Sequence, residues 1–362
     1  MRRRVGRAGR IRRSAAPPDD GRWASLPLDP SQGRTARRVR ARGPADLLAL
    51  IPFQLGFHPA ESAVTVFLRS GKVKMTARVD LPPPAAVAEF ASQLRGLARQ
   101  HDIDELVLFA YSAQPGPARA LLAGLIGALP ARLVRDALYV DGSRWWSLTC
   151  DQTCCPAEGT PYDVASHPLA AEAVYAGLTA RATRDELAAT LEGPPDGELA
   201  RLVDLAAELR DELDQLTEPW MAAEHLEQTV RTGVVDPNGL NDRTCVALAL
   251  LVTDLRLRDM ALALISPDEA EKHVEVWLRV LNRVPPALSA APLALVGMAG
   301  WIAGHGALLN CCADQLRDRH PSYSMGRLLA EISDRAVSPS VWRTMGRQVQ
   351  AELRRGLDGL AG

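Results

Sequence analysis

The sequence lacks the motifs that identify most nucleotide-binding proteins and many hydrolases. It has no Gly-x-Gly-x-x-Gly segment after a strand and no Walker-type Gly-Lys-Ser/Thr segment, which disfavours Rossmann and P-loop nucleotide sites. Ser62 begins a strand pattern rather than a Gly-x-Ser-x-Gly elbow, so a Ser–His–Asp hydrolase has little support. We therefore expect no organic cofactor, and no catalytic motif indicates an enzyme.

The sequence also has few cysteines and no long uninterrupted hydrophobic segment. Six Cys in 362 residues do not make a disulfide framework, so a reducing, cytoplasmic location is predicted. The Arg-rich start is not followed by the apolar core of a secretory signal. The longest nearly apolar stretch, residues 287–304, is interrupted by Pro292 and by small residues, so neither a membrane span nor a membrane partner is predicted.

Basic and acidic residues nearly balance, at 42 and 43, but they are separated along the chain. Residues 1–43 carry thirteen Arg against three Asp and little apolar periodicity, which predicts a disordered Arg-rich arm. The arm is compatible with a start codon assigned upstream of the true one, with a solvated tail, or with nucleic-acid binding through phosphate neutralisation. Only Trp23 could stack on a base there, so nucleic-acid binding is the least favoured.

Residues 44–180 alternate between strand and helix patterns. Alternating polar and apolar side chains indicate half-exposed strands, and a continuous apolar run indicates a strand buried on both faces. The predicted elements are a helix at 45–55 interrupted at Pro52, a hairpin of 63–68 and 73–80 turning at Ser70-Gly71, a helix at 84–100, a buried strand at 106–111, a helix at 117–129, a hairpin of 138–140 and 144–148 turning at Asp141-Gly142, and a helix at 168–178.

From Thr183 onward the strand patterns disappear and capping signals mark the helix boundaries. Thr183-x-x-Glu186 and Ser266-Pro-Asp-Glu269 are capping-box patterns, and Ser338-Pro339 is a typical start for the last helix. Roughly eight helices are predicted in this half. The fold class is therefore α+β, with a mixed-sheet α/β-type domain of order ββαβαββ over 44–180 and an all-α domain over 181–362.

One pair of helices in this half has the spacing of a tetratricopeptide hairpin. Gly297 and Gly304 would allow two helices to approach closely, and Pro321 would end the second helix. A stacked array needs at least three such units to bury a continuous core, and clean further copies are absent from the sequence. A tetratricopeptide-like fold is therefore an analogy resting on one unit.

Several short segments resemble one known family. They are Leu55-Gly-Phe-His-Pro59, Arg78-Val-Asp-Leu-Pro82, Trp145-Trp-Ser-Leu-Thr-Cys150, Cys154-Cys-Pro156, Glu158-Gly-Thr-Pro161 and His167-Pro168. Through them the chain resembles the actinobacterial family catalogued as domain of unknown function 4192, over about residues 44–355. The resemblance implies an actinobacterial cytoplasmic protein without an assigned activity, carries over no catalytic residues, and leaves the arm before Pro44 outside the family pattern.

The densest group of metal-capable side chains is Cys150, Cys154 and Cys155, with His167 following. Three thiolates and one imidazole would supply the four ligands of a tetrahedral zinc site. Adjacent cysteines rarely both bind one ion, and the paired Cys-x-x-Cys knuckles are absent. A redox or disulfide role and a packed structural loop therefore stand beside the zinc hypothesis, and the structural loop is favoured.

His58, Glu61 and Asp80 are the candidates for acid–base catalysis. They could approach one another if the loop after Gly56 lies over the end of the first hairpin. No nucleophile accompanies them, and the favoured interpretation has His58-Pro59 forming a loop while Arg78 pairs with Asp80 along one strand face. A ligand pocket at 111–116 is a further hypothesis, because ligands bind at the carboxyl ends of sheet strands.

Trp145 and Trp146 are the candidate interface residues. Neighbours in a strand point to opposite faces, so one is expected in the core and the other against the opposite face or a partner. The leading hypothesis is a cytoplasmic binding or regulatory protein whose helical half contacts a protein partner. The alternatives are a small-molecule enzyme around His58, Asp80 and the loop 150–155, and nucleic-acid binding through the arm.

Overall fold

The computed structural model describes residues 24–27, 38–150, 155–213 and 219–358. The chain divides into two compact units. Within the described ranges, the α/β unit contains residues 24–26, 39–48 and 61–164, and the helical unit contains residues 27, 38, 49–60 and 165–358. The sequence-based boundary after residue 180 therefore lies inside the helical unit.

An eight-stranded mixed sheet forms the centre of the α/β unit, in the spatial order β2-β1-β4-β3-β5-β6-β7-β8. The strands are β1 (Ala24–Pro27), β2 (Arg38–Ala41), β3 (Ser62–Arg69), β4 (Lys72–Asp80), β5 (Glu105–Tyr111), β6 (Val134–Val140), β7 (Arg144–Ser147) and β8 (Thr160–Pro161).

Two tight turns set the register of the sheet. Ser70 and Gly71 both have positive φ, +50° and +66°, which matches the twist of the antiparallel β3–β4 hairpin. At the second turn the Asp141 carboxylate accepts hydrogen bonds from the backbone N–H groups of Ser143 and Arg144, at 2.8 and 2.7 Å. Partial burial opposes ionisation of Asp141, but these hydrogen bonds prevail and hold its pKa below the usual value. Both predicted hairpins are confirmed.

Four α-helices accompany the first part of the chain: α1 (Pro44–Leu55), α2 (Val87–Gln100), α3 (Pro115–Ala128) and α4 (Pro168–Tyr175). Apolar side chains of α2 and α3, including Leu94 and Leu121, pack with Phe67 and Leu108 of the sheet in one buried cluster. Burial of these apolar surfaces holds the helices on the sheet, at about 25 cal/mol per Å² removed from water.

The predicted order ββαβαββ is confirmed over β3 to β7. Two details differ from the predictions. Helix α1 continues through Pro52 to Leu55, so the predicted interruption at Pro52 is wrong. The prediction of disorder over residues 1–43 is wrong at β1 and β2, because β1 pairs in parallel with β4 through Ser25 and Lys72 and both strands belong to the sheet. The other residues of the arm, up to Arg37, lie outside the described ranges.

The described part of the helical unit contains ten further α-helices. They are α5 (Arg184–Ala189), α6 (Asp196–Leu213), α7 (Pro219–Val235), α8 (Asp242–Leu251), α9 (Leu255–Ala263), α10 (Ala270–Leu281), α11 (Ala290–Ala303), α12 (Gly306–Arg319), α13 (Ser324–Asp334) and α14 (Trp342–Asp358). The number exceeds the roughly eight predicted. One reason is that Asp254, whose carboxylate caps α9, divides an apolar run into two helices.

Capping explains several of these boundaries. The Thr183 hydroxyl accepts a hydrogen bond from the Glu186 N–H at 3.1 Å and starts α5 as predicted. The Ser338 hydroxyl accepts from the Ser340 N–H and opens a short 3₁₀ turn before α14. The helix start predicted at Ser266-Pro267 is wrong. There the Ser266 hydroxyl donates to the Glu269 carboxylate within a turn, and α10 begins only at Ala270.

Helix α11 is the centre of the helical core. Every residue from Ala291 to Ala303 is buried, and Gly304 ends the helix in a left-handed conformation with φ of +94°. The hairpin predicted from Gly297, Gly304 and Pro321 is confirmed as α11 and α12, while the tetratricopeptide analogy stays a prediction. Among the described residues, no helix combines the length and apolar composition needed to cross a bilayer.

We predict that Gly297 cannot accept a large side chain. A Cβ atom there would lie 2.6 Å from Leu329 Cδ1 and 3.0 Å from Cys312 Cβ, so Gly297→Leu must displace the neighbouring helices. The expected loss is about 2 kcal/mol in the free energy of unfolding, measured by chemical denaturation. A Cβ atom added at Gly306 would meet no atom within 4 Å, so Gly306→Leu is the matched control. It should change the free energy of unfolding by less than about 0.5 kcal/mol. Equal effects of the two substitutions would contradict this packing.

A second prediction concerns His273 in α10, which is 2% exposed. Burial is the main cause that lowers its pKa to about 4, and the nearby Arg231 cation also lowers it. A hydrogen bond to the Leu264 backbone raises the pKa and offsets part of this effect. Between pH 6.5 and about pH 4, the imidazole of the unfolded chain is protonated whereas that of the folded chain is neutral. The folded state therefore loses stability as the pH falls through this window.

The expected loss at pH 4 is about 3 kcal/mol relative to pH 7, from about 1.4 kcal/mol per unit of pKa difference. His273→Gln removes this contribution while leaving the other titrating groups in place. Denaturation of both proteins across the window should therefore give a steeper pH dependence for the original chain. Parallel curves would show that His273 is not buried in its neutral form.

Candidate functional site

The turn between β5 and α3 is held by Glu61, which immediately precedes β3. Its carboxylate accepts hydrogen bonds from the Ser112 hydroxyl and from the Ala113 N–H, both at 2.8 Å. The Ser112 hydroxyl also accepts from the Gln114 N–H at 3.0 Å. Glu61 adopts a left-handed backbone conformation with φ of +42°, which is uncommon for a residue with a side chain. These contacts define the Glu61 clamp: Glu61, Ser112, Ala113 and Gln114.

The clamp lies just before the N-terminus of α3, close to the place where many α/β proteins bind a phosphate. Its anion is the carboxylate of Glu61, which accepts from the Ala113 N–H two residues before the helix starts. Pro115 and Pro117 have no N–H group, and the N–H groups of Ala113 and Gln114 are already engaged. Within Pro115-Gly116-Pro117, only Gly116 therefore has a backbone N–H group.

One turn into α3, Arg119 lies over two aromatic rings of the sheet. Its guanidinium carbon is 5.2 Å from the centre of the Tyr139 ring and 5.3 Å from that of Trp146. The two rings stack with centres 5.1 Å apart and planes inclined by 23°. Tyr139 is buried, and its hydroxyl donates to the Ser112 carbonyl at 3.1 Å. We call Arg119, Tyr139 and Trp146 the Arg119 platform.

The loop that leads to β8 holds the Trp146 side chain in place. Its indole Nε1 donates to the Ala157 carbonyl at 3.1 Å, and its ring lies directly against Gly159, which has φ of +82°. A Cβ atom at Gly159 would come within 2.4 Å of the indole. A glycine is therefore required at this position by both the backbone conformation and the close approach.

The register places the two tryptophans on opposite faces, as predicted, because Tyr139 pairs with Trp146 and Val140 with Trp145. Trp146 packs against the buried cluster of the helix-bearing face. The indole N–H of Trp145 is buried without a partner among the described residues. Both side chains are half-buried, so the proposal of either as an interface residue stays a prediction.

Two tyrosines, Tyr111 and Tyr162, lie close enough to interact electrostatically. Tyr111 is buried, its hydroxyl has no partner within the described ranges, and burial followed by the nearby Tyr162 raises its pKa well above the usual value. Burial and then Asp141 raise the pKa of Tyr162 to about 12. Both phenols are therefore neutral at physiological pH, so neither is an activated nucleophile there.

The acid–base candidates have structural contacts. Asp80 pairs with Arg78 at 2.7 Å, as the favoured interpretation predicted, and Arg78 also donates to the Ser62 hydroxyl at 2.9 Å. The carboxylate of Glu61 belongs to the clamp. His58 lies in the helical unit, where its backbone N–H donates to the Arg181 carbonyl at 3.0 Å. The described contacts do not join the side chains of Glu61 and Asp80, and catalysis by these three residues stays a prediction.

The segment leading to Cys150 is anchored by the carboxylate of Asp136. It accepts hydrogen bonds from the hydroxyls of Ser147 and Thr149, at 2.6 and 2.5 Å, and the Cys150 N–H donates to Ser147 Oγ. Cys150 and Cys155 are half-buried, whereas Cys154 lies outside the described residues.

His167 lies in the helical unit and caps α4, because its Nδ1 accepts from the Leu169 N–H at 3.2 Å. Within the described ranges, no three His, Cys, Asp or Glu side chains form a group that could hold a metal ion. With Cys154 outside those ranges, the zinc hypothesis stays a prediction.

Sequence reasoning missed Ser112, Arg119 and Tyr139. The turn after β5 was predicted as a ligand pocket, but its contact with Glu61 was not predicted. The polar Ser112, directly after a continuous apolar strand, was the available sign that this turn has a polar partner. The approach of Arg119 to Tyr139 depends on the crossing of α3 over β6, which a local pattern does not specify.

We predict that Gly159→Ala destabilises the α/β unit by displacing Trp146. Gly142→Ala is the matched control, since Gly142 also has positive φ, +101°, but a Cβ atom there would meet no atom within 4 Å. Both substitutions incur about 1 kcal/mol of backbone strain, and Gly159→Ala should lose about 1–3 kcal/mol more through the clash. Denaturation followed by tryptophan fluorescence measures the difference. Equal losses in the two variants would show that Gly159 does not support the indole.

Comparison with known proteins gives one match. The model of the family described as "Domain of unknown function (DUF4192)" matches residues 44–340, which include the Glu61 clamp, the Arg119 platform and most of the helical unit. No curated protein matches the chain, and no solved structure matches it. Because the match covers well over half of the chain, the chain belongs to the DUF4192 family.

Proposed function

We propose that this chain is a non-catalytic binding or regulatory protein, and that its α/β unit binds a carboxylate of a protein partner through Arg119. The observation that carries the proposal is the state of the Arg119 side chain. The residue is exposed, its guanidinium is held over two stacked rings, and no carboxylate among the described residues pairs with it.

Such a side chain is well prepared to bind an acidic group. A guanidinium presents its donors in a planar fork that matches a carboxylate, and stacking on aromatic rings restricts its rotation before binding. The interaction with the rings contributes about 0.5–1 kcal/mol at an exposed site. Tyr139 is held by the Ser112 carbonyl and Trp146 by Ala157, so the rings themselves are fixed.

The helical unit has exposed apolar side chains of its own. Trp220 in α7 is 41% exposed and Leu255 in α9 is 58% exposed. Aromatic anchors of this type are enriched at protein interfaces. Because these exposed apolar residues are distributed over several helices, the proposal places the specific contact at Arg119 of the α/β unit.

No specific observation among the described residues favours the enzyme hypothesis or the nucleic-acid hypothesis. The enzyme hypothesis depends on Glu61 and Asp80, whose carboxylates have structural partners, and on Cys154, which lies outside the described residues. The nucleic-acid hypothesis depends on the Arg-rich arm, most of which also lies outside them. Binding through Arg119 is therefore the function for which the described contacts provide the best support.

We predict that Arg119→Glu abolishes partner binding without unfolding the chain, because it replaces the exposed cation by an anion that repels a carboxylate. The measurement is the native mass of the full chain purified gently from the cells that naturally produce it. The original chain should carry a partner of defined mass, and Arg119→Glu should lack it while still unfolding cooperatively, with a melting temperature only a few degrees lower because the contact with the rings, about 0.5–1 kcal/mol, is lost.

Arg99→Glu is the matched control. Arg99 is exposed in α2 of the same unit, so this variant makes the same charge change away from the platform and should retain the partner. Arg119→Lys keeps the charge but not the planar fork and should bind about tenfold more weakly. A partner retained by Arg119→Glu, or an original chain that carries none, would overturn the proposal.

A further inference from the structure

The loop between β7 and β8 carries two half-buried cysteines of the α/β unit, Cys150 and Cys155. Both are thiols in the structure. Residues 151–154 between them lie outside the described ranges. The proposed function uses the Trp146 side chain that this loop holds, but it gives the cysteines no role. The contacts of the two arms of the loop decide what these thiols can do.

The pairing of β7 with β8 sets the two arms in a symmetric register. The strands are antiparallel, and Trp145 pairs with Thr160. Cys150 follows Trp145 at the same distance along the chain at which Cys155 precedes Thr160. In a regular antiparallel pair, such residues lie opposite each other with Cα atoms about 4.5–5.5 Å apart. A disulfide requires about 4.4–6.8 Å between Cα atoms, so this register favours a bond between the two cysteines.

Beyond the last strand pair, the Trp146 side chain holds the arm that carries Cys155. Its indole N–H donates to the Ala157 carbonyl, two residues after Cys155. Its ring lies directly against Gly159. The Gly159 N–H donates to the Pro156 carbonyl at 3.0 Å, which closes a tight turn directly after Cys155. The backbone next to Cys155 is therefore positioned by the same contacts that fix the indole.

The arm that carries Cys150 is held by the carboxylate of Asp136 in β6. This carboxylate accepts hydrogen bonds from the hydroxyls of Ser147 and Thr149. Ser147 Oγ in turn accepts from the Cys150 N–H at 3.1 Å. Ser147 directly follows Trp146 in β7. Both cysteines are therefore attached to backbone that is anchored to the sheet, one on each arm of the loop that holds the indole.

The other described cysteines have a different environment. Cys245, Cys311 and Cys312 are buried in the core of the helical unit. Burial raises the pKa of Cys245 to about 11, and it also raises the pKa values of Cys311 and Cys312. The thiolate is the nucleophile in thiol–disulfide exchange, so these three thiols react slowly at physiological pH. Among the described cysteines, oxidation is therefore directed to the pair in the loop.

We propose that Cys150 and Cys155 form a reversible disulfide, and that this bond and the packing of Trp146 stabilise each other. The oxidant is a low-molecular-weight disulfide. The thiolate of one cysteine attacks it, forming a mixed disulfide and releasing one low-molecular-weight thiolate. The thiolate of the other cysteine then attacks the protein sulfur of the mixed disulfide and releases the second one. The chain loses two electrons and two protons, and the two released thiols gain them.

The bond gives the loop two states that differ in freedom. In the disulfide form, a covalent link joins the two arms that meet at Trp146, so the indole is held more firmly. Arg119 lies over the same ring, so the redox state of the pair regulates how rigidly the Arg119 platform is held. This regulatory role rests on the proposed function, whereas the disulfide does not. The predicted reducing location allows such a bond only transiently, as a redox-sensing disulfide requires.

The first measurement is the intact mass of the full chain after equilibration with glutathione and glutathione disulfide, with EDTA present so that no metal protects the thiols. The oxidised chain should lose the mass of two hydrogen atoms, and peptide mapping should join Cys150 to Cys155. Cys150→Ser and Cys155→Ser should each prevent this loss. Cys154→Ser is the matched control in the same loop and should form the bond normally. A bond to Cys154, or no intramolecular bond at any glutathione ratio, would overturn the proposal.

The second measurement is the equilibrium constant of the disulfide against glutathione, which tests the link to Trp146. Coupling between two equilibria is reciprocal, so a change that displaces the indole must weaken the bond. Gly159→Ala should lower the constant about tenfold. Trp146→Phe keeps a ring but lacks the N–H that binds Ala157, and it should lower the constant less. Gly142→Ala is the matched control with positive φ and open space, and should leave it unchanged.

An equilibrium constant that neither Gly159→Ala nor Trp146→Phe changes would overturn the coupling. The regulatory role is tested by the native mass, because the fraction of chain that carries the partner should fall when the disulfide is reduced. An equal fraction in both forms would overturn that role. Arg119→Glu should form the disulfide normally. A chain that forms the bond but carries no partner would therefore contradict the proposed function alone, and a chain that carries the partner but forms no bond would contradict this proposal alone.

Discussion

The carboxylate of Glu61 connects two parts of the α/β unit that are far apart in sequence. It ties the start of β3 to the turn after β5, and this turn sets the direction in which α3 leaves the sheet. The position of Arg119 over Tyr139 follows from that direction, and the Tyr139 hydroxyl returns to the same turn through the Ser112 carbonyl. A residue that first resembles a catalytic carboxylate thus stabilises the local geometry on which the exposed cation depends.

The same contact lies close to the place where many α/β proteins bind a phosphate at an open helix N-terminus. Here the Ala113 N–H, just before α3, donates to the Glu61 carboxylate, and two prolines in the first turn of α3 have no N–H group. One turn into α3 lies Arg119, through which we propose that this edge of the unit binds a partner.

Local patterns predicted the parts of the fold that local chemistry decides. The Ser70-Gly71 turn, the buried strand β5 and the Thr183 cap all follow from a few adjacent residues. Strand β1 was missed because it has little apolar periodicity of its own and is held by pairing with β4. The buried, unpartnered Nδ1 of His273 was not predicted for a related reason, because its isolation from the described polar groups depends on how α10 packs against other helices.

Helix α11 has a consequence for the order in which the chain can be synthesised and folded. Its surface is apolar on all sides and is covered by α10, which precedes it, and by α12 and α13, which follow it. While the chain emerges from the ribosome, α11 therefore leaves the exit tunnel before half of its cover has been made. Until α13 has also emerged, part of the apolar surface of α11 lacks its native cover, and exposed apolar surface of this kind promotes aggregation during folding.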